Sequence, residues 1–201
     1  MRIRLACFGL LLALAVPEVA RAESGFLNIH LEPGLALSAG GYLKDVYGDQ
    51  SSAFGFHGAE VEVDEETGEI RLLRLVAAHD IGRAINPKGV EGQIEGGVAQ
   101  GLGFALMETL FADDGHTVLS NLQDYKIPAA LDVPEAIETV LVEMPDPEGP
   151  YGAKGVAEPA TIPVAAAIVN AIANAVGVRI RDLPATPEKI VEGLAEAGAG
   201  P

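Results

Sequence analysis

The chain has 201 residues, with 13 Lys and Arg set against 29 Asp and Glu, so its formal net charge is -16. That acidity argues against nucleic acid as a partner, which would require a basic face, and against docking on an anionic membrane surface. Hydrophobic residues make up 49% of the chain, enough for the core of one domain with an extension and too many for wholesale disorder. Aromatic residues are 5% and Trp is absent, so that core has to be built from Ala, Val, Ile and Leu.

Residues 1–22 have the pattern of a secretory signal: Arg2 and Arg4, an apolar run from Leu5 to Val16, the breaker Pro17, and a small-x-small site at Ala20-Arg21-Ala22. The run is too short for a stable membrane span. The other reading is a misassigned start, and the two place the chain outside or inside the cytoplasm respectively. Cys7 is the one cysteine. With the leader removed, no disulfide, iron–sulfur cluster or thiolate nucleophile is available. His30, His57, His79 and His116 show no i, i+4 ligand spacing, so no histidine-based metal site is expected.

Residues 23–50, and on to 55, are rich in Gly and Ser and read as irregular, with one short strand around Phe26–Leu31. Ala59, Val61 and Val63 then alternate with Glu60, Glu62 and Asp64, which predicts a half-buried strand with a solvated acidic face. A turn at Asp64–Gly68 returns the chain along Glu69–Ala77 as a hairpin. Asn86-Pro87 is a helix start, and Val90, Ile94, Val98, Leu102 and Leu106 step by four along a helix expected to reach about Phe111.

Gly92, Gly96, Gly97, Gly101 and Gly103 lie inside that helix, each costing about 0.5–1 kcal/mol relative to Ala. Two explanations are open: tight packing on another backbone, or room for a flat ligand. Gln93 and Gln100 flank the same surface. A turn follows at Ala112–Gly115, then an irregular stretch from Asn121 to Val133 and a strand over Ile137–Met144. A second helix runs from Thr161 to the stop at Gly177. Thr186-Pro187 opens a last short helix with Ile190 and Leu194 inward, followed by a frayed tail. With no βαβ order evident, the fold class is α+β: a hairpin and a further strand packed with a Gly-rich helix, an Ala/Ile-rich helix and a short C-terminal helix.

Gly149-Pro-Tyr-Gly-Ala-Lys-Gly-Val-Ala-Glu158 precedes the second helix. Glu158 is the single acid in a small, rigid setting. It suits a catalytic base and equally a first-turn helix acid favoured by the helix dipole. The Gly and Lys do not have phosphate-loop spacing. Gly101-Leu-Gly103 lacks the third glycine of a dinucleotide fingerprint, no Gly-x-Ser-x-Gly elbow occurs, and no carboxylate pair is singled out for hydrolysis.

Seven runs from about Ser51 to Leu194 resemble the C-terminal end of the molybdopterin-binding large subunit of the xanthine dehydrogenase / aldehyde oxidase family. In order these are Glu60–Asp64 with Thr67-Gly68, His79–Gly82 with Ile85–Pro87, Val90–Ile94, Gly97–Gly103, Asp124-Tyr125, Gly152–Glu158, and Leu183-Pro184 with Thr186-Pro187. The resemblance implies a molybdenum–molybdopterin cofactor and hydroxylation of an aldehyde or N-heterocycle with water-derived oxygen. It implies Glu158 as the general base and Gln93 beside the metal, with Gly92, Lys154, Gly155 and Val156 at the cofactor. It also implies that residues 51–197 are the C-terminal segment of a molybdopterin-binding domain, and it implies partners: the remainder of that subunit, and iron–sulfur and flavin subunits that carry the electrons away. The third place of the Gly-Val-Gly-Glu run is Ala157 here. A non-catalytic exported scaffold, or a remnant of such a domain, is the alternative reading.

Overall fold

The computed structural model describes residues 2–3, 27–31, 35–40, 53–118, 121, 123 and 125–198, the first three of these stretches as backbone only. The leader expected over residues 1–22 lies outside the described residues apart from a short strand β1 (Arg2–Ile3), and Asp124 lies outside them as well. The remaining strands are β2 (Leu27–Leu31), β3 (Leu35–Gly40), β4 (Ala53–Asp64), β5 (Ile70–Asp80), β6 (Ala112–Asp113), β7 (His116–Thr117) and β8 (Ala136–Val142). The helices are α1 (Pro87–Leu106), α2 (Val164–Val176) and α3 (Pro187–Gly198), with 3-10 turns at Pro150–Gly152 and Glu158–Ala160.

The main sheet has the order β2-β3-β4-β5-β8, and β1 pairs with the far end of β4. The hairpin forms as its alternation predicts, and Val61 and Val63 are buried on the face that meets the helices. Two expectations need correction here. The short strand expected around Phe26–Leu31 is β2, but the stretch 23–50 holds a second strand, β3, that pairs with both β2 and β4. The Gly- and Ser-rich composition hides a strand that is specified by its neighbours. A crossover also exists: β5 and β8 run parallel, Arg74 opposite Ala136 through Asp80 opposite Val142, and α1 lies between them in sequence. The class remains α+β, a partial sheet with three helices.

The acidic face of β4 is only partly solvated. Glu62 is buried and meets Arg71 Nη1 at 3.5 Å, so this acid is held by a cation across the hairpin. Between β5 and β8, Arg74 makes a fork on Glu138 at 2.6 and 2.7 Å. That pair pins the parallel register at its open end.

Helix α1 starts where expected, with the Asn86 side chain accepting from the Gly89 N–H at 3.2 Å. It ends at Leu106, short of Phe111, because the Met107 and Glu108 N–H groups both turn back onto the Gly103 carbonyl at 2.9 and 2.7 Å. The chain then makes the small hairpin β6–β7, whose tip, Asp114 and Gly115, takes the positive φ values of 44 and 78. Helix α2 closes at Gly177 with φ 75, and α3 continues to Gly198, into the tail expected to fray from Ala195. The stretch Glu158–Val176 has the length and mean hydropathy of a membrane span. Here its buried residues Val164, Ala167, Ile168, Ala171 and Ile172 form core against the sheet and α1.

Four of the helix glycines fall into two pairs. Gly97 and Gly101 are buried against the segment that opens α2. A Cβ at Gly97 would stand 2.7 Å from Ala160 Cβ, and one at Gly101 would stand 2.5 Å from Val164 Cβ. Gly92 and Gly96 face open space with nothing within 4 Å. Packing therefore explains the first pair and leaves the second without a structural need. Gly101→Ala is expected to destabilise the chain by about 1–3 kcal/mol through overpacking. Gly92→Ala is expected to stabilise it by about 0.5–1 kcal/mol through helix propensity. Urea unfolding followed by circular dichroism would read both; equal and stabilising effects at the two positions would contradict this division.

Candidate functional site

The loop that carries Glu158 is fastened to the end of β5 by backbone and charge together. Lys154 N–H donates to the Ile81 carbonyl at 3.0 Å, Arg83 N–H to the Gly152 carbonyl at 2.8 Å, and Gly82 bridges Ala153 in antiparallel fashion. Gly82 has φ +63, and a Cβ there would collide with the Gly152 carbonyl. Only glycine combines that conformation with that approach. Tyr151 and Gly152 turn the loop through φ values of 55 and 82, and the Asp146 N–H donates to the same Gly152 carbonyl at 3.1 Å.

Beneath this bridge lies an ion pair. Lys154 Nζ meets Asp80 Oδ2 at 2.6 Å, and the two side chains are 11% and 7% exposed. The other oxygen, Asp80 Oδ1, accepts from the Gly82 N–H at 3.1 Å. Lys154 Nζ also stands 6.0 Å from the centroid of Phe54. The ammonium expected at the cofactor is thus engaged with Asp80 in this chain. The sequence offered no sign of that pairing, because the partners are 74 residues apart.

Glu158 opens the second 3-10 turn, with its side chain exposed. Ala157 sits at φ -67, ψ -71, so alanine is accommodated at the third place of the run without positive φ. The turn packs against α1 and β4, and Ala160 is the residue received by Gly97. Gln93 and Gly96 precede Gly97 by four residues and by one on α1, and both are exposed. The surface formed by Gly92, Gln93 and Gly96 therefore adjoins the Glu158 turn. Gly155 is exposed with nothing within 4 Å of an added Cβ, whereas Val156 is half-buried against the core.

The arrangement offers an exposed carboxylate, a side-chain amide and a Cβ-free helix surface that can accept a flat group at close range. Those features fit a bulky planar cofactor held largely from its other side. Among the described residues, no group of three or more His, Cys, Asp and Glu could hold a bare metal ion.

Sequence reasoning missed one cluster. His57 and His79 are both buried, with Nε2 to Nε2 at 2.7 Å and rings edge to face at 84°. His57 stands opposite Ala77, and His79 opposite Gly55. The two histidines are therefore diagonal neighbours on one face of the hairpin, although 22 residues separate them in sequence. A Cβ at Gly55 would lie 2.6 Å from the His79 ring, so glycine makes room for it. Burial, then the neighbouring His79, push the His57 imidazole down to about 3, and burial pushes His79 down to about 4. Nδ1 of His57 has no hydrogen-bond partner among the described residues.

Comparison with known proteins follows the same lines. Residues 18–134 match the family model of the molybdopterin cofactor-binding domain, a match that ends before the Glu158 loop. The chain is 39% identical over 171 residues to the xanthine dehydrogenase molybdenum-binding subunit of Escherichia coli O157:H7, covering 84% of this chain and 22% of that protein. It is 40% identical over 148 residues to the aldehyde oxidoreductase molybdenum-binding subunit PaoC of Escherichia coli (strain K12), covering 72% and 20%. Quinoline 2-oxidoreductase from Pseudomonas putida 86 superimposes with a TM-score of 0.69 at 42% identity, over 75% of this chain and 20% of that one. The chain spans about a fifth of the length of these relatives. It belongs to the molybdopterin cofactor-binding family of xanthine dehydrogenase and aldehyde oxidoreductase large subunits.

Proposed function

We propose that the chain contributes the base-carrying half of a molybdenum hydroxylase site. In this reading Glu158 accepts a proton in the reaction, and Gln93 donates its amide towards the metal's ligand sphere. Gly92, Gly155 and Val156 line the cofactor surface, with Lys154 holding the loop beside it. The molybdenum–molybdopterin group, when bound, supplies the redox chemistry by which an aldehyde or N-heterocycle gains a water-derived oxygen. The chain's residues orient the cofactor, and Glu158 takes up a proton where the substrate reacts. The observation that carries the reading is the contact of Gly97 with Ala160, which sets the open Gly92–Gly96 surface against the Glu158 turn.

The remainder of the large subunit supplies the rest of the pocket in this reading, and iron–sulfur and flavin subunits take the electrons. Export depends on residues 1–22 acting as a leader, and N-terminal sequencing of the secreted fraction would decide that. The function is tested in the assembly purified from its native source. Molybdenum should be present near one atom per chain, and Glu158→Gln should lower kcat by about 100-fold or more, the scale on which a positioned base contributes, with cofactor content unchanged. Absence of molybdenum, or full activity of the Gln variant, would overturn the reading.

A further inference from the structure

We propose that the C-terminal end of α1, together with residues 107–111 and 125–133, forms the face on which the rest of the molybdopterin-binding subunit docks. The inference rests on the reading above and adds the surface through which the two parts meet. Phe104, Leu110, Phe111, Ile127 and Leu131 are all exposed, and Leu131 is 98% so. They belong to one region. The Tyr125 hydroxyl donates to Glu108 Oε2 at 2.6 Å, and Pro128 stands against Gly103 on α1. Leu131 lines a cavity of about 740 Å³ together with Leu102 and Leu106 and with the charged Arg71, Asp132 and Glu135.

Several large apolar side chains exposed in one region are uncommon on a self-sufficient domain and mark an interaction site. Its character also selects the occupant. The face presents large apolar side chains in a chain of net charge -16, and permanent interfaces are the apolar ones, whereas transient ones are more polar. The relatives carry about four-fifths of their length outside the part that this chain matches. A permanent partner of that size is available in the family architecture, and an open cavity beside a fully exposed leucine suits the insertion of its side chains.

The test uses the full chain, alone and co-expressed with the Escherichia coli O157:H7 subunit deleted for its matched 171-residue stretch. Alone, the wild-type chain is expected to bind a hydrophobic dye and to form polydisperse assemblies. Co-expressed, it should co-purify with the deleted subunit. Leu110→Asp/Phe111→Asp/Leu131→Asp should lose dye binding and reduce co-purification by about tenfold or more, the loss expected when central apolar anchors are removed. Its unfolding midpoint should stay at the wild-type value. Ile85→Asp, an exposed position just before the opposite end of α1, should behave as wild type. If the triple variant does not fold, Leu131→Asp alone serves, since a residue so exposed contributes little to the folded chain.

Wild-type recovery of the triple variant with the deleted subunit would overturn the proposal. So would a discrete wild-type dimer abolished by the triple variant, which would make a second copy the occupant. A wild-type chain that is monomeric, dark to the dye and unaccompanied would also overturn it. Failure of the functional reading is separate: an assembly that forms through this face yet holds no molybdenum would leave the docking result standing.

Discussion

Lowering the pH from 6.5 to 5.5 is expected to cost the folded chain about 2 kcal/mol, and the next unit about as much again, through the buried pair His57–His79. In the unfolded chain both imidazoles take up a proton near pH 6.5. In the folded chain they resist it until about 3 and about 4, because burial disfavours the charged form. The stabilisation is therefore complete above the unfolded value and is lost as pH falls from 6.5 towards 4. Geometry supplies the physical reason. One Nε2 must donate to the other across 2.7 Å, and a proton on the acceptor turns that bond into two opposed N–H groups. Carboxylates held low act in a lower window. The Asp64 carboxyl is lowered by the Thr67 and Glu66 N–H groups, Glu138 by Arg74, and Glu188 by its own N–H and Thr186. All of these weaken the fold only as pH falls through about 4 and below. Urea unfolding between pH 7 and 5 isolates the histidines. His57→Gln/His79→Gln should flatten the slope in that interval, and an unchanged slope would refute the assignment.

That pair also shows where sequence reading stops. Elements with local signals were legible: the hairpin from its alternation, the start of α1 from Asn86-Pro87, and α2 from its apolar spacing with Gly177 at its end. What depended on distant partners was not. Strand β3 takes its form from pairing across a sheet, between β2 and β4. The parallel join of β5 and β8 links residues more than sixty positions apart. The end of α1 at Leu106 follows from N–H groups turning back to Gly103, with no stop residue to announce it. At the site, the motif order singled out Glu158 and Gln93, which one helix contact brings to adjoining surfaces. Counting histidines by spacing along the chain could not find His57 and His79, because their proximity is a property of hairpin register. Laying out that register from the Asp64–Gly68 turn would have exposed the diagonal, apart from the one-residue shift between Glu60 and Val61.

Lys154→Ala is expected to destabilise the chain by about 3–5 kcal/mol, the usual consequence of leaving one member of a buried charge pair behind. Among the described residues, the Asp80 carboxylate would keep only the Gly82 N–H at 3.1 Å, with its other oxygen facing the space vacated by the ammonium. Asp80→Asn should cost less than Lys154→Ala, since the amide oxygen retains the bond from Gly82 while the lysine side chain is long enough to swing its charge towards water. The double variant Asp80→Asn/Lys154→Met removes both charges and should recover part of the loss, because two neutral groups of similar size carry no uncompensated desolvation. The damage should also be local. The pair underlies the bridge between Gly82 and Ala153 and the bond from Lys154 N–H to Ile81. Amides from Gly152 to Ala157 should therefore exchange faster in Lys154→Ala than those of α2, well below the global unfolding limit. Uniform acceleration across both segments would show that the pair supports the whole domain equally. A confined acceleration would identify it as the fastening of the Glu158 loop, so that the position of the carboxylate depends on a charge pair formed at the end of β5.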